Sequence, residues 1–90
     1  MNASQQINLN DYVWIRLRTK GRAMLVDRDR RWSQLYGDTY GRLAVAERDE
    51  REHGGWSRWQ LWSLIECFGQ AMYLGCDPPF ETTIHLGEAP

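Results

Sequence analysis

The chain has 90 residues, a formal net charge of −1, and 42% hydrophobic and 26% charged residues. This length allows one domain with one core, and the balanced charge gives no general attraction to nucleic acid or to an anionic membrane surface. No apolar run approaches the ~20 residues of a membrane span, and residues 1–11 lack the features of a signal peptide. We expect a single intracellular domain over residues 1–90, with flexible tails at residues 1–8 and 87–90.

The first regular pattern is a strict alternation over residues 12–18. It places Val13, Ile15 and Leu17 on one face, and β-branched and aromatic residues recur throughout. Period-two alternation with these residue types predicts a half-buried strand.

An amphipathic helix is predicted over residues 21–36. Leu25, Arg28, Trp32 and Leu35 recur at helical spacing on one side, and charged residues occupy the others. Thr19 is a candidate N-cap, and Gly37 is a candidate terminator.

The middle of the chain gives weaker signals. Residues 42–47 are consistent with a short strand, although their two alanines are weak strand formers. Residues 47–55 are highly charged, which favours either a solvated loop or a frayed helical turn.

The most strongly marked helix is predicted over residues 57–69. Ser57 and Gln60 have the spacing of a capping box, and Gly69 can end the helix in a left-handed conformation. An apolar stripe follows the cap, formed by Leu61, Leu64, Ile65 and Phe68. Trp59 and Trp62 lie at the edge of this stripe, so the helix is apolar over much of its circumference and needs cover on more than one side.

A second alternating segment, residues 80–86, predicts a C-terminal strand. The predicted inward residues are Phe80, Thr82, Ile84 and Leu86. An antiparallel pairing with residues 12–18 would set Arg16 and Arg18 near Glu81. We therefore predict an α+β domain in the order β-α-(β)-α-β, with two helices on an antiparallel sheet formed by the N- and C-terminal strands.

Signatures of catalysis are absent from the sequence. His53 and His85 have no nucleophile or ligand cluster at a recognisable spacing, and Cys67 and Cys76 form no CxxC pair. Glu66 would mark a site if it were buried, but we expect it to face solvent. We therefore predict a non-enzymatic protein without a metal or cofactor, whose two thiols are reduced.

Tryptophan and the charged residues suggest what the chain binds. Trp59 and Trp62 are either core residues or part of a partner surface, because tryptophan is enriched at binding hot spots. In the second interpretation, a partner protein or a second copy of the chain covers them. We predict a partner surface formed by Glu47, Asp49, Glu50, Glu52, Trp59 and Trp62.

The uneven distribution of charge along the chain supports nucleic-acid binding as an alternative function. Residues 1–40 contain seven Lys/Arg against four Asp/Glu, a balance of +3, and residues 41–90 contain four against eight, a balance of −4. A basic surface near aromatic residues is typical of nucleic-acid binding. The candidate residues are Arg16, Arg18, Lys20, Arg22, Arg30 and Arg31.

The pattern GWSxxQLWxL over residues 55–64, followed by Phe68-Gly69, Gly75 and PFET at residues 79–82, covers about the last 40 residues. It resembles a family of small, uncharacterised proteins encoded by bacteriophages and prophages. The resemblance implies an accessory protein that acts in the bacterial cytoplasm. Proteins of this size and setting include antagonists of host defence, such as anti-CRISPR proteins, and modifiers of host enzymes.

Overall fold

The computed structural model of the chain describes residues 6–37, 41–73 and 75–90. In these residues a three-stranded antiparallel sheet in the order β2-β1-β3 packs with three α-helices. The elements are β1 (Tyr12–Ile15), α1 (Thr19–Tyr36), α2 (Arg42–Glu52), β2 (Ser57–Gln60), α3 (Leu61–Phe68) and β3 (His85–Leu86). The α+β class predicted from the sequence is confirmed. The order keeps the predicted terminal strands and differs in the middle of the chain.

β1 is the central strand, because it pairs with β2 on one side and with β3 on the other. Its predicted inward residues Val13 and Ile15 are buried, as is Leu17 just after it. Trp14, on the opposite face, is also buried: its Nε1 donates to the Gly87 carbonyl at 3.1 Å, and its ring contacts His53. The predicted antiparallel pairing of the terminal strands is confirmed.

The C-terminal segment is less strand-like than its alternation predicts. Phe80 is buried and forms an isolated bridge with Leu17, but Ile84 and Leu86 are exposed, as is Thr82. The prediction that these three residues point inward is therefore wrong. β3 is a two-residue strand at the edge of the sheet. Its outer side pairs with no further strand of the described residues, and its side chains are exposed.

α1 confirms the predicted helix over residues 21–36 and begins two residues earlier. Thr19 is its first helical residue and Arg18 occupies the N-cap position, so the predicted cap at Thr19 is wrong. Gly37 ends the helix at a φ of +82°, a conformation that favours glycine. A β-carbon on buried Gly21 would clash with the Pro79 carbonyl, so this first turn packs directly on the segment that leads to Phe80.

Residues 42–47 form the first half of helix α2, which contradicts the expected short strand. The reason is a non-local cap: the carboxylate of Asp29 on α1 accepts from the backbone N–H groups of Arg42 and Leu43 at 3.0 and 3.1 Å. These are orphan donors at the start of a helix, and satisfying them stabilises it. Ala46, a good helix former, is buried against the core. Of the two alternatives for residues 47–55, the helical one is observed up to Glu52, and residues 53–55 form a turn.

The predicted helix over residues 57–69 is wrong in its first four residues, which form strand β2. The burial of Ser57 and Trp59 alternates with the exposure of Arg58, as in a strand with one buried face. The Ser57 hydroxyl does not cap a helix; it accepts from Trp59 Nε1 at 2.9 Å. Helix α3 therefore starts at Leu61, and Gly69, at a φ of −55°, continues into a 3-10 turn instead of ending the helix in the left-handed region.

An aromatic column forms the centre of the core. Trp59 packs against Phe68 at 5.5 Å between ring centroids, and Phe68 packs against Phe80 at 5.7 Å. The Arg42 guanidinium also contacts Trp59 and lies 4.0 Å from its ring centroid. The column thus joins β2, α3, α2 and the C-terminal segment. None of the helices in the described residues is long and apolar enough to cross a membrane.

Replacing Trp59 and Trp62 separately distinguishes the core tryptophan from the exposed one. Trp59 is 1% exposed and Trp62 is 45% exposed. We expect Trp59→Ala to lower the free energy of unfolding by about 3–5 kcal/mol, a large share of the ~5–15 kcal/mol typical of a domain. We expect Trp62→Ala to change it by less than about 1 kcal/mol. Urea unfolding monitored by circular dichroism measures both, and equal losses would contradict the placement of the two side chains.

Candidate interaction surfaces

Two of the four predicted acidic residues make internal contacts. Glu50 forms a bidentate ion pair with Arg22, with one N···O distance of 2.9 Å, and this hydrogen bonding raises the pKa of Arg22. Asp49 accepts from the backbone N–H of Arg58 on the edge strand β2 at 3.1 Å. Both carboxylates therefore hold α2 against its neighbours and are not free to bind a partner.

The other two acidic residues, Glu47 and Glu52, are exposed on α2. Arg48 and Arg51 lie on the same helix and interrupt them. The helix thus presents charges of both signs to solvent. The structure therefore gives no support to a continuous acidic surface over residues 47–52.

Trp59 is enclosed in the aromatic column, so its predicted place on a partner surface is wrong. The prediction depends on a helix over all of residues 57–69, which would place Trp59 and Trp62 along one edge. The strand-to-helix change at Leu61 separates them: Trp59 points into the core and Trp62 is exposed.

The predicted basic residues are spread over two regions. Arg16, Arg18 and Arg22 line one groove of about 380 Å³ together with Glu50 and Glu81. Arg30 and Arg31 lie farther along α1, where they pair with Asp27 at 3.1 and 3.2 Å, respectively.

Ion pairs and hydrogen bonds engage the cations of the first region as well. Arg16 pairs with Glu81 at 3.8 Å, as the complementary strand charges predict, and Arg18 pairs with Asp77 at 3.1 Å. Lys20 donates to the Asp77 carbonyl at 2.8 Å. Each of the six predicted cations therefore has a protein acceptor, which reduces the positive field that a nucleic-acid surface requires.

Exposed side chains linked to Trp62 form a group that we call the Trp62 surface. Its members are Ile7, Leu9, Tyr12, Arg58 and Trp62. The Trp62 N–H donates to the Leu9 carbonyl. Gln60, which accepts from the Trp62 indole, pairs with Tyr12 across the sheet. The four apolar side chains are 45–58% exposed. The Arg58 guanidinium lies 4.3 Å from the centroid of the Tyr12 ring, and a groove of about 530 Å³ opens beside Ile7 and Tyr12.

Backbone hydrogen bonds fix the N-terminal part of this surface. The N–H groups of Leu61 and Trp62 donate to the carbonyls of Asp11 and Leu9 at 2.9 and 3.0 Å. Because a flexible tail is predicted at residues 1–8, Ile7 is not among the predicted contact residues. Residues 1–5 of that tail lie outside the described residues. The signal that could have indicated this surface is the pair of apolar residues, Ile7 and Leu9, in an otherwise polar segment.

A second exposed surface lies on the C-terminal half of α1, and we call it the α1 surface. Its members are Asp27, Arg28, Arg31, Trp32, Leu35 and Tyr36. They line a groove of about 500 Å³ whose other wall includes Glu66 and Cys67 of α3. Trp32 packs on Tyr36 at 4.7 Å between ring centroids, and Arg28 lies over Trp32 and pairs with Glu66 at 3.1 Å.

The residues considered for catalysis from the sequence are described by their surroundings. Glu66 is exposed, as predicted, and His53 and His85 contact tryptophan rings. No group of three or more His, Cys, Asp or Glu in this part of the chain could hold a metal ion. Cys67 and Cys76 are free thiols, and burial raises the pKa of Cys67, which keeps its thiol protonated and weakens it as a nucleophile.

The raised pKa of Cys67 predicts a stability loss at alkaline pH. The folded chain holds this proton more tightly than the unfolded chain, whose thiol titrates near ~8.5. The contribution of this group to the free energy of unfolding is therefore complete below that pH, and it is lost as the pH rises from there through the raised pKa of the folded chain. The free energy of unfolding in urea from pH 7 to 10 should fall less steeply in Cys67→Ala than in the wild type. Cys76→Ala is the matched control, and identical slopes for all three proteins would refute the assignment.

Comparisons of the chain with protein-family models, with curated proteins and with solved structures found no match.

Proposed function

We propose that the chain is a non-enzymatic phage accessory protein that binds a host protein complex in the bacterial cytoplasm and inhibits or redirects it. An anti-CRISPR-type antagonist of host defence is the most specific form of this proposal. The setting is supported by the resemblance of residues 55–82 to phage-encoded proteins. The binding role is supported by one structural observation: the exposed Trp62, which is joined through Gln60 to Tyr12 and its neighbour Arg58.

The composition of the Trp62 surface suits a binding hot spot. Trp, Tyr and Arg are residue types favoured at such positions, and Trp62, Tyr12 and Arg58 supply one of each. Ile7 and Leu9 add exposed apolar area around them. An apolar centre with polar groups at its rim is the usual anatomy of a protein interface.

The surface is also held in place before binding. Asn8 and Asp11 close a turn, since the Asn8 N–H donates to the Asp11 carboxylate at 2.8 Å and the Asp11 N–H donates to the Asn8 carbonyl at 2.9 Å. The Trp62 indole N–H donates to Gln60 Oε1 at 3.2 Å. A preorganised surface loses less conformational entropy on association, which favours affinity. The proposal therefore moves the partner contact from residues 47–52 to the Trp62 surface.

The test compares two tryptophans of similar exposure on different surfaces. Affinity pull-down from bacterial host cytoplasm identifies the partner, and calorimetry with the purified partner measures the affinity. We expect Trp62→Ala to weaken binding by about thirtyfold, which corresponds to ~2 kcal/mol at a hot spot.

Trp32→Ala is the matched control, because Trp32 is 41% exposed and lies on the α1 surface. It should bind the partner within about twofold of the wild type, a range typical of positions outside an interface. Equal affinity of Trp62→Ala and the wild type would exclude the Trp62 surface as the contact.

Nucleic-acid binding is the alternative, and the convergence of Arg16, Arg18 and Arg22 on one groove supports it. The ion pairs that these three arginines form with carboxylates oppose it. Fluorescence anisotropy with a labelled single-stranded DNA, a duplex DNA and an RNA at low salt separates the two functions. If the chain binds a protein and not nucleic acid, the anisotropy of these labelled nucleic acids should show no saturable rise. An affinity that falls steeply with salt and is lost in Arg18→Glu would instead favour nucleic acid.

A further inference from the structure

We infer that a second copy of this chain occupies the α1 surface, forming a two-fold symmetric dimer. This inference is independent of the proposed function, because it concerns a different surface. It begins from the burial of α1: Gly21 and Leu25 are its buried residues, and none from Val26 to Tyr36 is buried. The last three turns of the helix thus extend beyond the core, although they carry Trp32, Leu35 and Tyr36.

The exposed area is large for an isolated helix end. Trp32, Leu35 and Tyr36 are 41%, 74% and 65% exposed. For large side chains of about 150–250 Å², these fractions leave roughly 350 Å², close to half of the ~800 Å² that each partner contributes to a stable interface. Met24 and Cys67, which line the same groove, add to this area. The α1 surface therefore supplies part of the apolar area that each partner of a stable dimer buries.

Its shape includes a recess with exposed side chains along it. Trp32 and Leu35 line the groove of about 500 Å³ between α1 and α3, and they are themselves 41% and 74% exposed. In a two-fold symmetric contact the same surface meets itself, so the exposed side chains along each groove can enter the groove of the second copy. A flat partner would leave the groove empty.

The charges are also self-complementary. Asp27 and Glu66 balance Arg28 and Arg31 within the groove, so its net charge is zero. If two α1 helices cross antiparallel through the face that carries Asp27, Arg31 and Leu35, which share it at a spacing of four residues, each Asp27 faces the Arg31 of the second copy. Both residues already pair within one chain at 3.2 Å, and the dimer would join the two pairs into one network. A partner of a single charge sign would meet like charges instead, which disfavours it.

The dimer is tested by sedimentation velocity over a concentration series from about 1 to 300 μM, which covers dissociation constants in the micromolar range. We expect the wild type to shift from monomer to dimer, and Leu35→Asp to raise the dissociation constant at least about tenfold. Leu9→Asp is the matched control, because Leu9 is 58% exposed on the Trp62 surface. It should dimerise like the wild type. A wild type that remains monomeric throughout, or equal effects of the two variants, would overturn the inference.

A charge exchange tests the antiparallel arrangement. Asp27→Arg and Arg31→Asp each place like charges opposite each other in a homodimer and should weaken self-association. An equimolar mixture of the two variants should form a heterodimer, because the arginines of one chain then face the aspartates of the other. Circular dichroism checks that both variants fold. A mixture with no more dimer than either variant alone would exclude this pairing.

A last control separates the two surfaces. Trp62→Ala should dimerise like the wild type, because Trp62 lies outside the α1 surface. Failure of the dimer is therefore distinguishable from failure of the proposed function. Loss of self-association in Trp62→Ala would count against the α1 surface as the dimer contact.

Discussion

The fold depends on the burial of Trp59 against both a cation and an aromatic ring. The Arg42 guanidinium lies 4.0 Å from the centroid of the indole, Phe68 packs against the indole at 5.5 Å between ring centroids, and Ser57 Oγ accepts from the indole N–H. Burial lowers the pKa of Arg42, and its Nε atom has no hydrogen-bond partner among the described residues. The cation–π contact with Trp59 offsets part of this desolvation cost. One side chain thereby holds α2, β2 and α3 together.

Burying Trp59 determines what the molecule presents to solvent. A strand over Ser57–Gln60 directs Trp59 inward, and the helix that starts at Leu61 then leaves Trp62 outside next to the N-terminal segment. The core cluster includes the aromatic column of Trp59, Phe68 and Phe80 together with residues of β1. The C-terminal half of α1 contributes no buried residue to it. Two separate apolar surfaces result, and they suit two separate roles: binding of another protein at the Trp62 surface and self-association at the α1 surface.

The sequence predicts the elements whose signals are local. The alternation around Val13, the α1 periodicity and the Arg16–Glu81 pairing follow from spacing and charge alone. Other features are decided at long range. The helix over Arg42–Glu52 depends on the carboxylate of Asp29, and strand β2 forms because Ser57 pairs with Ile15, although its spacing to Gln60 also fits a helix cap.

The predicted site differs from the observed surface because periodicity alone does not locate the start of helix α3. A four-residue strand directly before a helix cannot be distinguished by periodicity from an extra helical turn. Trp59 therefore shared a predicted surface with Trp62, although the two side chains point in different directions. Of the predicted partner residues, Trp62, Glu47 and Glu52 are exposed. The other three, Trp59, Asp49 and Glu50, have structural roles.

The measurement that tests this account most directly is ¹⁹F NMR of the chain labelled with 5-fluorotryptophan, which reports on all five tryptophans at once. The resonance of Trp59 should resist broadening by a soluble paramagnetic probe, whereas those of Trp32 and Trp62 should broaden. On raising the protein concentration, the Trp32 resonance should shift and the Trp62 resonance should not. A Trp59 signal that broadens like that of Trp62, or Trp32 and Trp62 signals that respond to concentration together, would contradict a core built on Trp59 with two independent surfaces.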